Sequence, residues 1–406
     1  MTALLNDDNR AFDPIEILRD LVAFDSTSRN SNLPITEYIR AKLETCHGIK
    51  TWLVSSPDGT KANLIAQIGP DTAGGILFSG HTDVVPVDGQ NWDGNPFELS
   101  ELPNGTLRGR GTTDMKGFVA CVLSQAKLWS QLASQGTLIK PVYMVFSYDE
   151  EIGCKGVISA IDDLNQRGIK PDLCIVGEPT EMQVAVAHNA RARVWVDVSA
   201  TGGHAATHHQ PDVTSATDLA TLFHAKIITA RHDFGPVFGH VTLGNATLAA
   251  TGWEQANASN VIPSQAQVHF DFRGRPGTDP ASLKEYLEAH AKATIDAYRA
   301  DGKTTKAEIA IRTELMNPGF NCTDDAAIQL AAQFADNSRA ITVPYVCEAA
   351  RFWDAGFIQT VVMGPGNIKD AHQPNETLAR GQIDKLLVAL RRVTDYVTTP
   401  AATPAP

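Results

Sequence analysis

The sequence predicts an α/β protein: a doubly wound, mostly parallel sheet interrupted by an inserted α+β domain with two helices on an antiparallel sheet. Three observations predict it. Short apolar runs alternate with helical stretches through the first half, strict alternation sets in after Pro179, and the first texture returns towards the end of the chain. The length of 406 residues also exceeds what one hydrophobic core ordinarily serves, so two domains are expected.

In chain order, Ile35, Ile39 and Leu43 share one helical face, and Ile76 to Ser79 is a short apolar run. Gly117 to Leu128 reads as a helix, and Val142 to Phe146 and Leu173 to Val176 are further apolar runs. Apolar strands without alternation are buried on both faces, as in parallel sheets whose connections are helices. Beyond Pro179, Val194, Val196 and Val198 alternate with polar neighbours, as do Val268, Phe270 and Phe272. Helical stretches from about Thr214 to Thr229 and Pro280 to Ala300 complete the insert. Helices near Asp325 to Phe334 and Ile383 to Val393, with apolar Ile358 to Met363 between them, resume the α/β pattern. The expected boundaries are a catalytic domain over residues 1–181 and 299–397, a dimerisation insert over 182–298 and a disordered Pro/Ala/Thr tail over 398–406.

Composition narrows the function. With 43% hydrophobic and 20% charged residues the chain has ample material for a core. Acidic residues outnumber basic ones by 46 to 34 and no Lys/Arg-rich run occurs, which disfavours nucleic acid or an anionic membrane as partner. No apolar segment approaches the roughly 20 residues that span a bilayer, and Met1 to Asp8 lacks the basic start and apolar run of a signal peptide. Six scattered cysteines without a CxxC pair suit reduced thiols, so a cytoplasmic location is expected.

The chemistry-bearing residues mostly follow the strand signals. His81-Thr82-Asp83 comes after the first apolar run, and Asp114 sits in the Gly-rich stretch Gly109 to Gly117. Glu150 and Glu151 follow the second run, Glu178 the third, and His372 closes the series. Imidazole and carboxylate donors suit Zn²⁺ or a neighbouring first-row cation, and two histidines with three carboxylates can form two sites sharing one bridging carboxylate. Each residue alone has a plainer reading. His81 could be a hydrogen-bonded structural histidine, Glu150 and Glu151 a solvated pair at a helix start, Asp114 a turn residue and Glu178 a strand end. The Gly-Arg-Gly stretch lacks the Gly-Lys-Ser/Thr ending of a phosphate loop.

Four segments, Gly80 to Pro86, Arg110 to Gly117, Tyr148 to Cys154 and Gly177 to Thr180, resemble the dizinc aminoacylase/carboxypeptidase metallopeptidases. Asp149 to Cys154 and Met363 to Glu376 are most similar to the acetylornithine deacetylase/succinyl-diaminopimelate desuccinylase group. The resemblance implies two Zn²⁺ per subunit, with Co²⁺ or Mn²⁺ possible occupants. Asp114 would bridge, His81 and Glu178 would complete one site, and Glu151 and His372 the other. Asp83 would orient His81 through its carboxylate, and Glu150 would be the general base. It further implies a homodimer paired through the insert, with His204 reaching the partner's site to stabilise an oxyanion and Asn260 and Arg273 contacting substrate.

The implied reaction is removal of an N-acyl group from a small amino acid, N²-acetylornithine foremost. Succinyl-diaminopimelate desuccinylation, general aminoacylase and dipeptidase or carboxypeptidase activity are the alternatives, and a non-catalytic binding relative is a remote one. Ala205-Ala206, His188-Asn189-Ala190 and Cys347-Glu348-Ala349-Ala350 depart from the usual pattern, bearing on specificity and not on the ligands. Cys347 by itself reads as a small buried residue, and Trp92 and Phe97 as packing.

Overall fold

A computed structural model describes residues 11–230, 247–255, 260–303, 306–335 and 339–400. The chain divides into two compact units: Met1–Ala187, Cys322–Val343 and Cys347–Pro406 form the first, and His188–Asn321 and Pro344–Val346 the second.

The first unit is built on a sheet in which Lys50–Ser55, Ala62–Ile68, Val142–Ser147, Ile76–His81, Leu173–Pro179 and Thr360–Gly364 lie side by side in that order. The last four run parallel; Ala62–Ile68 is antiparallel to both of its neighbours. Five of these six strands are buried along their whole length, and the four parallel ones read as apolar runs for that reason, whereas buried Asn63 and Gln67 interrupt Ala62–Ile68; the edge strand Lys50–Ser55 is not buried. Helices cover the sheet. Gly117–Ser124 is buried on every side, whereas Arg380–Thr398 buries Ile383, Leu386, Leu390, Val393 and Val397 on one stripe. The helix expected from Gly117 to Leu128 is two, Gly117–Ser124 and Ala126–Ser134, meeting at Gln125. Trp129 of the second stacks on Phe78, ring centroids 5.8 Å apart, and so anchors it to the sheet.

Parallel order has a consequence for chemistry. His81 is in register with Ser147, Ser79 with Val176, and Gly364 with Pro179, so the four strands deliver their following segments to one edge of the sheet.

In the second unit, Thr247–Gln255, Gln265–Gly274, Ala190–Ser199 and Glu308–Asn317 form an antiparallel sheet in that order. Val194, Val196, Val198, Val268, Phe270 and Phe272 face a core shared with Leu219 and Phe223 of Ala216–Ala230 and Leu287 of Pro280–Ala300. Asp279 caps the second helix, accepting from the amides of Ala281 and Ser282. The expected insert ended at residue 298. Glu308–Asn317 lies beyond that point and pairs along Ala190–Ser199, which places it in the second unit. The helix Arg380–Thr398 runs into the expected tail, of which residues 401–406 lie outside the described residues.

Candidate metal centre

The edge where the parallel strands end gathers five of the expected residues. His81 is the last residue of its strand, and its Nδ1 donates to the backbone carbonyl of Asp83 at 2.8 Å. That bond fixes the ring's orientation and turns Nε2 inward. Nε2 lies 3.0 Å from Asp114 Oδ1 and 3.7 Å from Glu178 Oε1. The other oxygen of Asp114, Oδ2, lies 3.0 Å from His372 Nε2, which is also 3.0 Å from Glu151 Oε2. Two groups result, His81–Asp114–Glu178 and Asp114–Glu151–His372, each with its donor atoms within 4.8 Å of one another. Asp114 belongs to both, one oxygen turned to each.

Local sequence explains these placements. Gly111, before Asp114, has φ of 84°, a left-handed conformation that suits glycine, and a Cβ there would meet Lys116 and Val84 at 2.9 Å. Glu150 and Glu151 sit in a turn between Ser147 and the helix Val157–Gln166, not at a helix start, and Glu150 is buried. Cys154 Sγ donates to Glu150 Oε1 at 3.0 Å.

Electrostatically the cluster is crowded with carboxylates. Burial, then the charges of Asp114 and Glu150, raises Glu178 well above the ordinary carboxylate range. Burial first and Glu151 and Asp114 after it do the same for Glu150, against the opposing pull of His81. Burial and Asp114 raise Glu151 to about 7. Hydrogen bonds to Asp114 and Glu151 hold the His372 imidazolium up to about 11. Burial opposes charge on His81, yet its bond to Asp114 and the carboxylates of Glu178 and Glu150 outweigh it and raise its affinity for a proton. Asp114 is the exception: burial would raise it, but the two imidazoles hold it far below its usual value. Each imidazole is thus made to act as a cation among acids.

Glu151 Oε1 is buried with no hydrogen-bond partner. A buried carboxylate oxygen left without a donor is costly, and a divalent cation would satisfy it. The oxygen and imidazole donors fit Zn²⁺, Co²⁺ or Mn²⁺.

Asp83 differs from expectation. The sequence reading had its carboxylate orienting His81, but the backbone carbonyl holds the ring, and the carboxylate Oδ1 lies 3.6 Å from Nδ1. The carboxylate instead accepts from Ser28 Oγ at 2.6 Å and from the amides of Glu150 and Glu151 at 3.2 and 3.3 Å. The reason is that the strand stops at His81, so Asp83 does not share its strand face. Its charge steadies the turn that carries Glu150 and Glu151.

The second unit holds the other three expected residues. Gly203–His204 pairs with Val261–Ile262, and Ala205 donates its amide to the carbonyl of Asn260 at 3.0 Å, so His204 and Asn260 come together. His204 is exposed; its Nδ1 accepts from the amide of Ala206 at 3.2 Å. Arg273 lies at the far end of Gln265–Gly274, eight residues from Gln265, or roughly 27 Å at about 3.4 Å per residue. Its Nε donates to Asp271 at 2.6 Å.

Sequence reading passed over two buried carboxylates. Glu348 accepts from Ser79 Oγ at 3.0 Å and from Ser147 Oγ, beneath the strand ends. Glu376 forms a 2.7 Å ion pair with Arg110, both side chains about 1% exposed. Glu376 closes a segment singled out for its resemblance and Glu348 sits in one noted for departing from the pattern, but nothing in a single sequence marks a carboxylate as buried.

Comparison with known proteins gives the family. Residues 77–397 match the model of peptidase family M20/M25/M40. The chain belongs to this family. As a member it is a hydrolase. It is 31% identical over 331 residues to acetylornithine deacetylase of Klebsiella pneumoniae, covering 78% of this chain and 79% of that protein. The acetylornithine deacetylase of Proteus mirabilis is 29% identical over 378 residues, 89% of this chain and 91% of that protein. Among solved structures, aminopeptidase PepT of Bacillus cereus aligns with a TM-score of 0.73 at 17% identity, covering 97% of this chain and 100% of that one. A dinuclear metal-binding M20 peptidase of Bacillus subtilis aligns with a TM-score of 0.69 at 17% identity, covering 95% and 97%. These likenesses establish the shared fold. Among the described residues no helix is long and apolar enough to cross a membrane.

Proposed function

We propose that the chain is a two-cation amidohydrolase that removes the N-acetyl group of N²-acetylornithine, giving ornithine and acetate, a step of arginine biosynthesis. One observation carries the chemistry: Asp114 offers one oxygen to each of two donor groups, so two cations would share a single carboxylate. Two bound cations, Zn²⁺ foremost, would polarise the acyl carbonyl and ready a water for attack. His81, Asp114 and Glu178 would hold one of them, and Asp114, Glu151 and His372 the other. Glu150 is the proton carrier. Its burial among acids raises its affinity for a proton, which suits a carboxylate that takes the water's proton and passes it to the amine as the C–N bond breaks. Asp83 keeps that turn in place by accepting hydrogen bonds from the backbone amides of Glu150 and Glu151.

The substrate reading is supported by the deacetylase relatives, which align over most of both chains. Arg273 would grip the α-carboxylate, Asn260 would contact substrate and His204 would stabilise the oxyanion. Because Arg273 stands at one end of Gln265–Gly274 and the His204–Asn260 pair precedes its other end in a separate two-stranded ribbon, a substrate held by both would draw on two copies of the unit, which favours a homodimer.

A panel of N²-acetylornithine, succinyl-diaminopimelate, other N-acyl amino acids and Gly-X dipeptides, assayed with Zn²⁺- or Co²⁺-loaded protein, tests the assignment. The highest kcat/KM is expected for acetylornithine. Clear turnover of another member with none of acetylornithine would overturn the substrate while leaving the hydrolase class intact.

A further inference from the structure

Glu376 takes no part in the proposed cation binding or proton transfer, yet it is buried against the loop that carries Asp114. Its Oε1 accepts from the amides of Thr113 and Asp114 at 2.9 and 3.0 Å. Its Oε2 accepts from the amide of Gly111 at 2.9 Å and from Arg110 Nη1 at 2.7 Å. Four donors on one dry carboxylate leave it no freedom, and charge-assisted bonds of this kind are the strong ones.

The same network reaches His372 from the other side. Arg110 Nη1 also donates to the carbonyl of Gln373 at 3.3 Å, and Nη2 donates to Gln90 Oε1 at 2.6 Å. Gln90 Nε2 in turn donates to the carbonyl of His372 at 3.1 Å. Backbone bonds join the two loops as well: Gly109 donates its amide to the carbonyl of Glu376 at 3.0 Å, and Thr113 Oγ1 donates to that of Thr377 at 2.6 Å. Asp114 and His372 lie 258 residues apart in sequence, yet both loops are held by one buried ion pair.

We infer that Glu376 and Arg110 are positioning residues that set Asp114 and His372 at the spacing a cation needs, so that cation affinity depends on their ion pair. This rests on the reading of the cluster as a two-cation site. A purely architectural pair would behave differently: its loss would lower the melting temperature, and the protein that stayed folded would bind cations as before.

The test is titration of chelator-stripped protein with Zn²⁺ by calorimetry and with Co²⁺ by visible absorption. Glu376→Gln keeps the shape but turns an amide NH₂ towards donors. It is expected to weaken the cation shared by Asp114, Glu151 and His372 by about 10- to 100-fold and to alter the Co²⁺ spectrum. The double variant R110M/E376Q removes both charges, so no unpaired guanidinium is left buried, and it is expected to fold and show the same loss. Gln90→Ala, at a half-buried rim position, cuts the branch to His372 and a bond from Trp92 Nε1 while leaving the bonds of Glu376 in place, and is expected to lose affinity at the low end of that range. Wild-type affinity for both cations in any folded member of this set overturns the positioning role. Failure of the wild-type protein to bind two cations removes the two-cation reading and, with it, this one.

Discussion

At the scale of single residues the centre is a problem in charge. Glu150, Glu151 and Glu178 are all raised, so folding favours their protonated forms; their contribution is complete below about 4.5 and is lost as pH climbs, through about 7 for Glu151. His372, raised from 6.5 to about 11, contributes fully below 6.5 and loses that contribution above it. Asp114 has the opposite sign, its contribution being present above 3.8 and lost only in acid. Between pH 5 and 8 the acidic and imidazole groups therefore act together. Cation-free protein is expected to melt at progressively lower temperature across that interval, and saturating Zn²⁺ to flatten the slope. Thermal scans in chelator and in Zn²⁺ decide it; a chelated sample whose melting point held steady or rose with pH would contradict the charge assignment.

At the scale of elements, close backbone approach fixes where the candidate ligands stand. A Cβ on Gly177, next to Glu178, would come within 2.1 Å of the Phe118 ring, and one on Gly364 within 2.0 Å of the Gly177 carbonyl. Phe118 belongs to a helix buried on all sides and has nowhere to retreat. Gly177→Ala is expected to cost about 1–3 kcal/mol in urea unfolding and to weaken cation retention at the His81–Glu178 group. Gly381→Ala, in the helix Arg380–Thr398 with nothing within 4 Å, serves as control and is expected to be neutral or slightly stabilising. Equal effects of the two substitutions would show that packing at Gly177 is not what seats Glu178. The strand and helix signals of Ile76 to Ser79, Leu173 to Val176 and Asp325 to Phe334 were legible because burial on both faces, or on one stripe, leaves a periodic trace in sequence. Gln125, where one expected helix becomes two, leaves no such trace.

At the scale of the whole molecule, the proposed dimer makes a prediction that no single chain can meet. Glu150→Gln and His204→Ala are each expected to lower kcat by about 10²–10⁴-fold as homodimers, with cation content unchanged in the first. Mixed by co-refolding, half the dimers would pair one chain of each kind. One of their two sites would then combine an intact Glu150 with an intact His204, restoring about a quarter of wild-type activity. Absence of recovery in a sample shown to contain mixed dimers would remove His204 from the partner's site.

The sequence by itself determined the α/β class, the alternating insert and a set of candidate donors, because imidazoles and carboxylates placed after apolar runs are visible as composition and order. His81, Asp83, Asp114, Glu150, Glu151, Glu178 and His372 could be named that way, and the resemblance to a known family singled out five of them as the expected cation ligands. Only the tertiary structure decided which oxygen of Asp114 faces which histidine, that the carbonyl of Asp83 and not its carboxylate holds His81, and that Glu376 and Arg110 close two distant loops on each other. The physical reason is range: periodicity is a property of neighbours in the chain, whereas the partner of a buried charge is chosen by the fold.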